Sequence, residues 1–145
     1  MALELEREAQ IREVLSSART VAVLGAHVEP GKPAFYVPDY LASQGYRILP
    51  VNPGFVGRSQ WGEPFRASLA EIGEPVDLVD VFRRAEHLPG HLDDILALDP
   101  RPRTVWLQLG IRHPAVAARL VEAGIDVVQD LCTMAEHRAL GLPAV

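Results

Sequence analysis

Five short apolar runs recur along the chain: TVAVLG (20–25), YRILPVN (46–52), VDLVDVF (76–82), RTVWLQLG (103–110) and IDVVQ (125–129). Each is rich in Val, Ile and Leu and almost unbroken in its apolarity, the mark of a strand covered on both faces. Between them lie segments with helical spacing. Residues 5–18 set Ile11, Val14, Leu15 and Ala18 on one face. YVPDYLASQG predicts a helix from about Pro38, with proline in its first turn and Gly45 as its C-terminal cap. PGHLDDILAL aligns Leu92, Ile95 and Leu96, HPAVAARLVEAG aligns Ala117, Leu120 and Val121 between Pro114 and Gly124, and LCTMAEHRAL forms a closing helix. Strands that alternate with helices imply an α/β fold, a parallel sheet sandwiched between helical layers. Right-handed crossovers make it a Rossmann-like three-layer sandwich with a five-stranded sheet, expected in the order 3-2-1-4-5. In such sheets ligands bind at the carboxyl ends of the strands, where the winding reverses. The loops after Gly25, Val51, Phe82 and Leu109 then border one crevice.

The remaining bulk properties narrow the function. A chain of 145 residues reads as a single domain spanning 1–145, with no repeat and no linker to divide it. Its 48% hydrophobic and 23% charged residues are those of an ordinary soluble globular protein. No apolar run approaches the roughly 20 residues of a membrane span. The acidic start, MALELEREAQ, reads as a helix and not as a signal peptide. Cys132 is alone, which excludes an internal disulfide and suggests a reducing cytoplasm. A net charge of −5 argues against nucleic-acid binding, while leaving room for a locally positive site that takes a small anion.

The first loop, in VAVLGAHVEPGKPAF, resembles a phosphate-binding loop and satisfies neither standard pattern. A triphosphate loop needs G-x-x-x-x-G-K-[ST]. Here five residues separate Gly25 from Gly31, and Pro33 occupies the hydroxyl position. The dinucleotide fingerprint G-x-G-x-x-G fails because His27 replaces its second glycine and Pro30 its third. Nor does any Asp or Glu occur from Leu41 to Gly62, where an NAD site holds its ribose with an acid. What survives is Gly25 at a strand end, a helix N-terminus nearby, and Lys32 as a free cation.

Other chemistry-bearing residues read mainly as structure. Asp80, inside an apolar strand, is expected to be buried and hydrogen-bonded, because an unpaired charge there is costly. Gln108 reads equally as a crevice residue and as a structural amide. Cys132 reads as an inert thiol, with a mixed disulfide to a thiol ligand as the alternative. Trp61 and Trp106 read as packing residues, His113 as a helix cap, and His87 and His91 as surface loop. His137 beside Glu136 is too little for a metal site, so no metal is expected. His27 faces the crevice without an evident nucleophile or base beside it, so no catalytic residue is assigned.

Four stretches, VAVLGAHVEPGKPAFYVPDYLASQGYRILPVNP, VDLVDVFR, VWLQLGI and AGIDVVQDLC, resemble in order and spacing the small stand-alone CoA-binding domain proteins. These are similar to the N-terminal domain of the succinyl-CoA synthetase α subunit. The likeness runs from about Ile11 to Leu142. It implies that the crevice binds coenzyme A or an acyl-CoA. Gly25, Ala26 and His27 would line its phosphates, with Lys32 adding charge. Val51, Asn52 and Pro53 would border the adenosine end, and Phe82 with Arg83 would close the crevice. The family often carries Ser at position 27 and a basic residue at 54, where this chain has His27 and Gly54, so Lys32 or Arg58 must supply the missing charge. Asn52 suits a ligand with a ribose phosphate, which an acid would repel. The expected role is that of a small-molecule binder without a complete active site, acting as a sensor or carrier or as a partner to an acyl-CoA enzyme. An NAD(P)-binding protein, or an interaction module with an empty crevice, is the alternative.

Overall fold

All five apolar runs become parallel strands of one sheet in the computed structural model, which describes residues 1–145. Helix α1 (Glu8–Ser17) leads into β1 (Thr20–Leu24), α2 (Pro33–Ser43) and β2 (Arg47–Val51). A small antiparallel hairpin follows, β3 (Ser59–Gln60) with β4 (Glu63–Pro64), and then β5 (Leu78–Val81). A 3-10 segment, Ala85–His91, runs into α3 (Leu92–Ala97), and β6 (Thr104–Leu107), α4 (Pro114–Glu122), β7 (Asp126–Val128) and α5 (Thr133–Ala139) complete the chain.

Alternation along each strand divides the apolar side chains between two cores. Ala22 and Leu24 of β1, with Val79 and Val81 of β5, face α3 and α4. Val21 and Val23, with Leu78 and Trp106, face α1, α2 and α5. Neither core could close without the sheet between them, which is why the strands read as unbroken apolar runs.

The sheet runs β2-β1-β5-β6-β7, so its strands counted along the chain stand 2-1-3-4-5. The reversal beside β1 that the 3-2-1-4-5 pattern requires is present. One placement differs: the third run pairs with β1 and not with the outer side of β2. Pro50 supplies the reason. A proline has no N–H to donate and belongs on an edge. In β2 the Arg47 amide faces β1, donating to the Arg19 carbonyl at 2.8 Å, so Pro50 falls on the outward side. Only a single bridge to Arg66 meets that edge. The opposite edge, β7, is covered by the N-terminal segment: Leu5 N–H donates to Val127 O at 2.7 Å and Val127 N–H to Leu3 O at 3.0 Å.

Helix α2 begins at Pro33, five residues before the expected start, and Pro38 lies buried inside it. An interior proline removes one helical bond and pushes away the carbonyl four residues earlier. That carbonyl belongs to Ala34, and the His27 amide takes it at 3.1 Å. The defect in the helix thereby becomes the anchor of the first loop.

Candidate ligand-binding crevice

At the carboxyl ends of the strands, the loops after β1, β2, β5 and β6 and the start of α5 surround a crevice with two lobes. The larger, about 530 Å³, is lined by His27, Lys32, Tyr36, Gln108, Ile111 and Met134 among others. The smaller, about 250 Å³, runs between Val51, Pro53, Ser68, His91 and Asp94. Gly25, Asn52 and Arg83 border both lobes and form the waist between them.

The waist depends on close backbone approach. Gly25 has φ +90°, a conformation that costs any residue with a side chain. A Cβ there would lie 3.0 Å from the Phe82 carbonyl oxygen and 3.2 Å from Arg83 Cδ. Asn52 is spent on loop structure: its Nδ2 donates to Ala26 O at 2.9 Å, and its Oδ1 accepts from Gly54 N–H at 2.9 Å. Its side chain therefore ties the first loop to the second and leaves little for a ligand. Ala26 differs from the other expected site residues, because its side chain is wholly buried in the core and lines neither lobe.

The cations are free. Arg83 forms no ion pair; its Nε donates to His91 Nε2 at 3.3 Å, which leaves the terminal guanidinium nitrogens for an anion. Burial, then the neighbouring Arg83 charge, holds His91 below the ordinary histidine range, so it stays a neutral acceptor. His91 is thus half-buried in the crevice wall, not the surface loop expected. Lys32, at the N-cap of α2, is exposed and also unpaired. Arg58 lies 5.9 Å over the Phe55 ring and lines neither lobe, so Lys32 alone of the two expected substitutes is in place. His27 Nδ1 accepts the amides of Val28 and Glu29, both at 3.0 Å. Its proton therefore resides on Nε2, a donor directed away from those amides. No carboxylate lines the larger lobe, and Asp94 is the one acid of the smaller.

Beneath the larger lobe Asp80 is fully buried, as its place in the strand predicts. Gln108 Nε2 donates to Asp80 Oδ1 at 2.5 Å and to Thr133 Oγ1 at 2.9 Å, and Thr133 donates to Asp80 Oδ2 at 3.2 Å. Burial raises the Asp80 carboxyl to about 7 against the opposing pull of these two donors. Gln108 is both of its sequence readings at once, structural partner and crevice wall. Cys132 is half-buried at the same wall. Trp106 is fully buried, and Trp61 packs against Phe35. His113 caps α4, accepting Val116 N–H at 3.1 Å. Apolar Tyr36, Val37, Ile111 and Met134 complete the larger lobe; they were hidden in sequence because they also fit helix and loop patterns.

A hollow of about 350 Å³ opens at the other end of the strands, between α1 and Arg103. Glu13, Asp77 and Asp126 surround it, the reverse of what an anionic ligand requires. No three His, Cys, Asp or Glu side chains anywhere group to hold a metal ion. No helix is long and apolar enough to cross a membrane.

Residues 19–138 match the family model described as the CoA binding domain. The chain belongs to this CoA-binding domain family. The uncharacterized protein YneT of Bacillus subtilis (strain 168) is 35% identical over 130 residues, covering 90% of this chain and 93% of its own. A Thermus thermophilus protein of solved structure is 53% identical and superposes with a TM-score of 0.88, covering 93% of this chain and 99% of that one. A dinucleotide-forming acetyl-coenzyme A synthetase from Candidatus Korarchaeum cryptofilum shares the fold, at 18% identity and a TM-score of 0.66, over 80% of this chain and 26% of that one. That last likeness is one of fold alone.

Proposed function

We propose that this protein binds coenzyme A, free or acylated, along the two-lobed crevice, and that a partner acyl-CoA enzyme supplies the chemistry. The observation that carries this reading is the cationic waist, with Arg83 unpaired by any acid, joining a small lobe to a larger one. Coenzyme A has the matching form: a phosphorylated adenosine, a pyrophosphate, and a long arm of low polarity. The adenosine enters beside Val51, Pro53 and His91. The pyrophosphate lies at Gly25, where Arg83, Lys32 and the His27 Nε2 proton meet the N-terminus of α2. The arm runs past Phe82 toward Tyr36, Ile111 and Met134.

An NAD reading also has two bodies joined by pyrophosphate. It requires an acid at the end of β2, where Asn52 stands already hydrogen-bonded to two loops. A thermal-shift series with coenzyme A, dephospho-coenzyme A and NAD separates the readings. Ligand at about 100 times its dissociation constant adds about 2.7 kcal/mol. For a domain of this size that raises the melting temperature by roughly 10 °C. Coenzyme A is expected to give the largest rise. A larger rise with NAD, or none with any ligand, defeats the proposal.

A further inference from the structure

We infer that Gln108 accepts a hydrogen bond from an amide N–H of the ligand's arm, and so fixes where a pantetheine-type arm lies in the larger lobe. The inference rests on the coenzyme A reading and concerns the larger lobe alone. Gln108 is only 4% exposed, yet it forms part of that lobe's wall. Both of its N–H bonds are committed downward, to Asp80 and Thr133, neither of which has any exposed surface. An ionised carboxylate can only accept, and Thr133 spends its own proton on that same carboxylate. With Asp80 ionised, the amide cannot turn over without setting oxygen against oxygen. Its Oε1 is held on the crevice side.

That oxygen has no protein partner. It is also absent from the fully enclosed unpartnered atoms, of which His137 Nε2 is the single case. Gln108 Oε1 thus meets the crevice itself, a fixed acceptor among Leu109, Ile111, Cys132 and Met134. An apolar arm that seals this wall without offering a donor would strand the oxygen, at the cost of a lost hydrogen bond. Pantetheine answers both demands, since its two secondary amides are N–H donors within a chain of otherwise low polarity. Asp80 acts here through Gln108, as the group that orients it.

The test compares coenzyme A with adenosine 3′-phosphate 5′-diphosphate, which lacks the arm, by titration calorimetry at pH 8, where Asp80 is ionised. Gln108→Met is expected to weaken coenzyme A by about tenfold, the loss of one hydrogen bond, and to leave the armless ligand within twofold. Equal weakening of both ligands, or no weakening of coenzyme A, overturns the inference. A coenzyme A analogue with esters in place of the arm's amides tests the same contact on the unaltered protein. It should bind about tenfold more weakly than coenzyme A, and equal affinity overturns the role of Gln108. If the unaltered protein binds neither coenzyme A nor the armless ligand, the coenzyme A reading itself has failed, a result distinct from both.

Discussion

Replacing Asp80 with Asn should change how stability depends on pH, and in a direction that ordinary carboxylates do not give. Asp80 has no exposed surface, and burial raises its carboxyl from 3.8 to about 7. Between those values the folded protein holds a proton that the unfolded chain has released. Stability then falls as pH rises, because the folded state binds more protons. The contribution is fully present below about 3.8 and is lost as pH passes about 7. At 1.36 kcal/mol for each pH unit, it amounts to at most about 4 kcal/mol. Asn keeps the shape, offers Gln108 an acceptor, and has no charge to bury. Urea denaturation of both proteins at intervals from pH 4 to pH 8 isolates the effect in the difference between the curves. The original protein should lose up to about 4 kcal/mol relative to Asp80→Asn over this range. A flat difference, or one in which the original gains with pH, refutes the assignment of a buried carboxyl with a raised pKa.

Three further substitutions address the crevice. Gly25→Ala forces a side chain into φ +90° and against the Phe82 carbonyl; it should destabilise the fold by about 1–3 kcal/mol in urea melts and weaken coenzyme A. Arg83→Met should leave the melting temperature within a few degrees, since its one partner is His91. The same change should weaken coenzyme A by about 10- to 100-fold, as expected for a charged hydrogen-bond donor; an unchanged dissociation constant removes Arg83 from the site. Pro38→Ala restores an amide that competes with His27 for the Ala34 carbonyl. It should raise the melting temperature by relieving up to about 3 kcal/mol of helix strain, while coenzyme A binds more weakly. Raised stability with unaltered affinity shows that the proline does not serve the loop.

Much of this fold was legible because burial on both faces leaves so plain a trace. Strands such as TVAVL and LVDV carry almost no polar residue, and their ends mark the crevice loops without further information. The strand order was less legible, although Pro50 held the clue that β2 must be an edge. The start of helix α2 is ambiguous in the sequence because two prolines stand five apart and either fits a first helical turn; the carbonyl freed by the interior one is taken by the distant His27 amide. Around the crevice, Gly25 and Lys32 follow from position in the first loop, and Arg83 from the family resemblance. The union of Asp80, Gln108 and Thr133 does not, because it joins two strands and a helix far apart in the chain. His91 was likewise hidden, its loop-like surroundings giving no sign that the 3-10 segment turns it toward Arg83.

Calorimetric titration of the purified protein with coenzyme A, set against NAD under the same conditions, is the most direct measure of what the crevice holds. Saturable binding of one coenzyme A per chain, tighter than NAD and weakened by Arg83→Met, is the predicted result. Tighter binding of NAD, or coenzyme A binding that Arg83→Met leaves untouched, would contradict it.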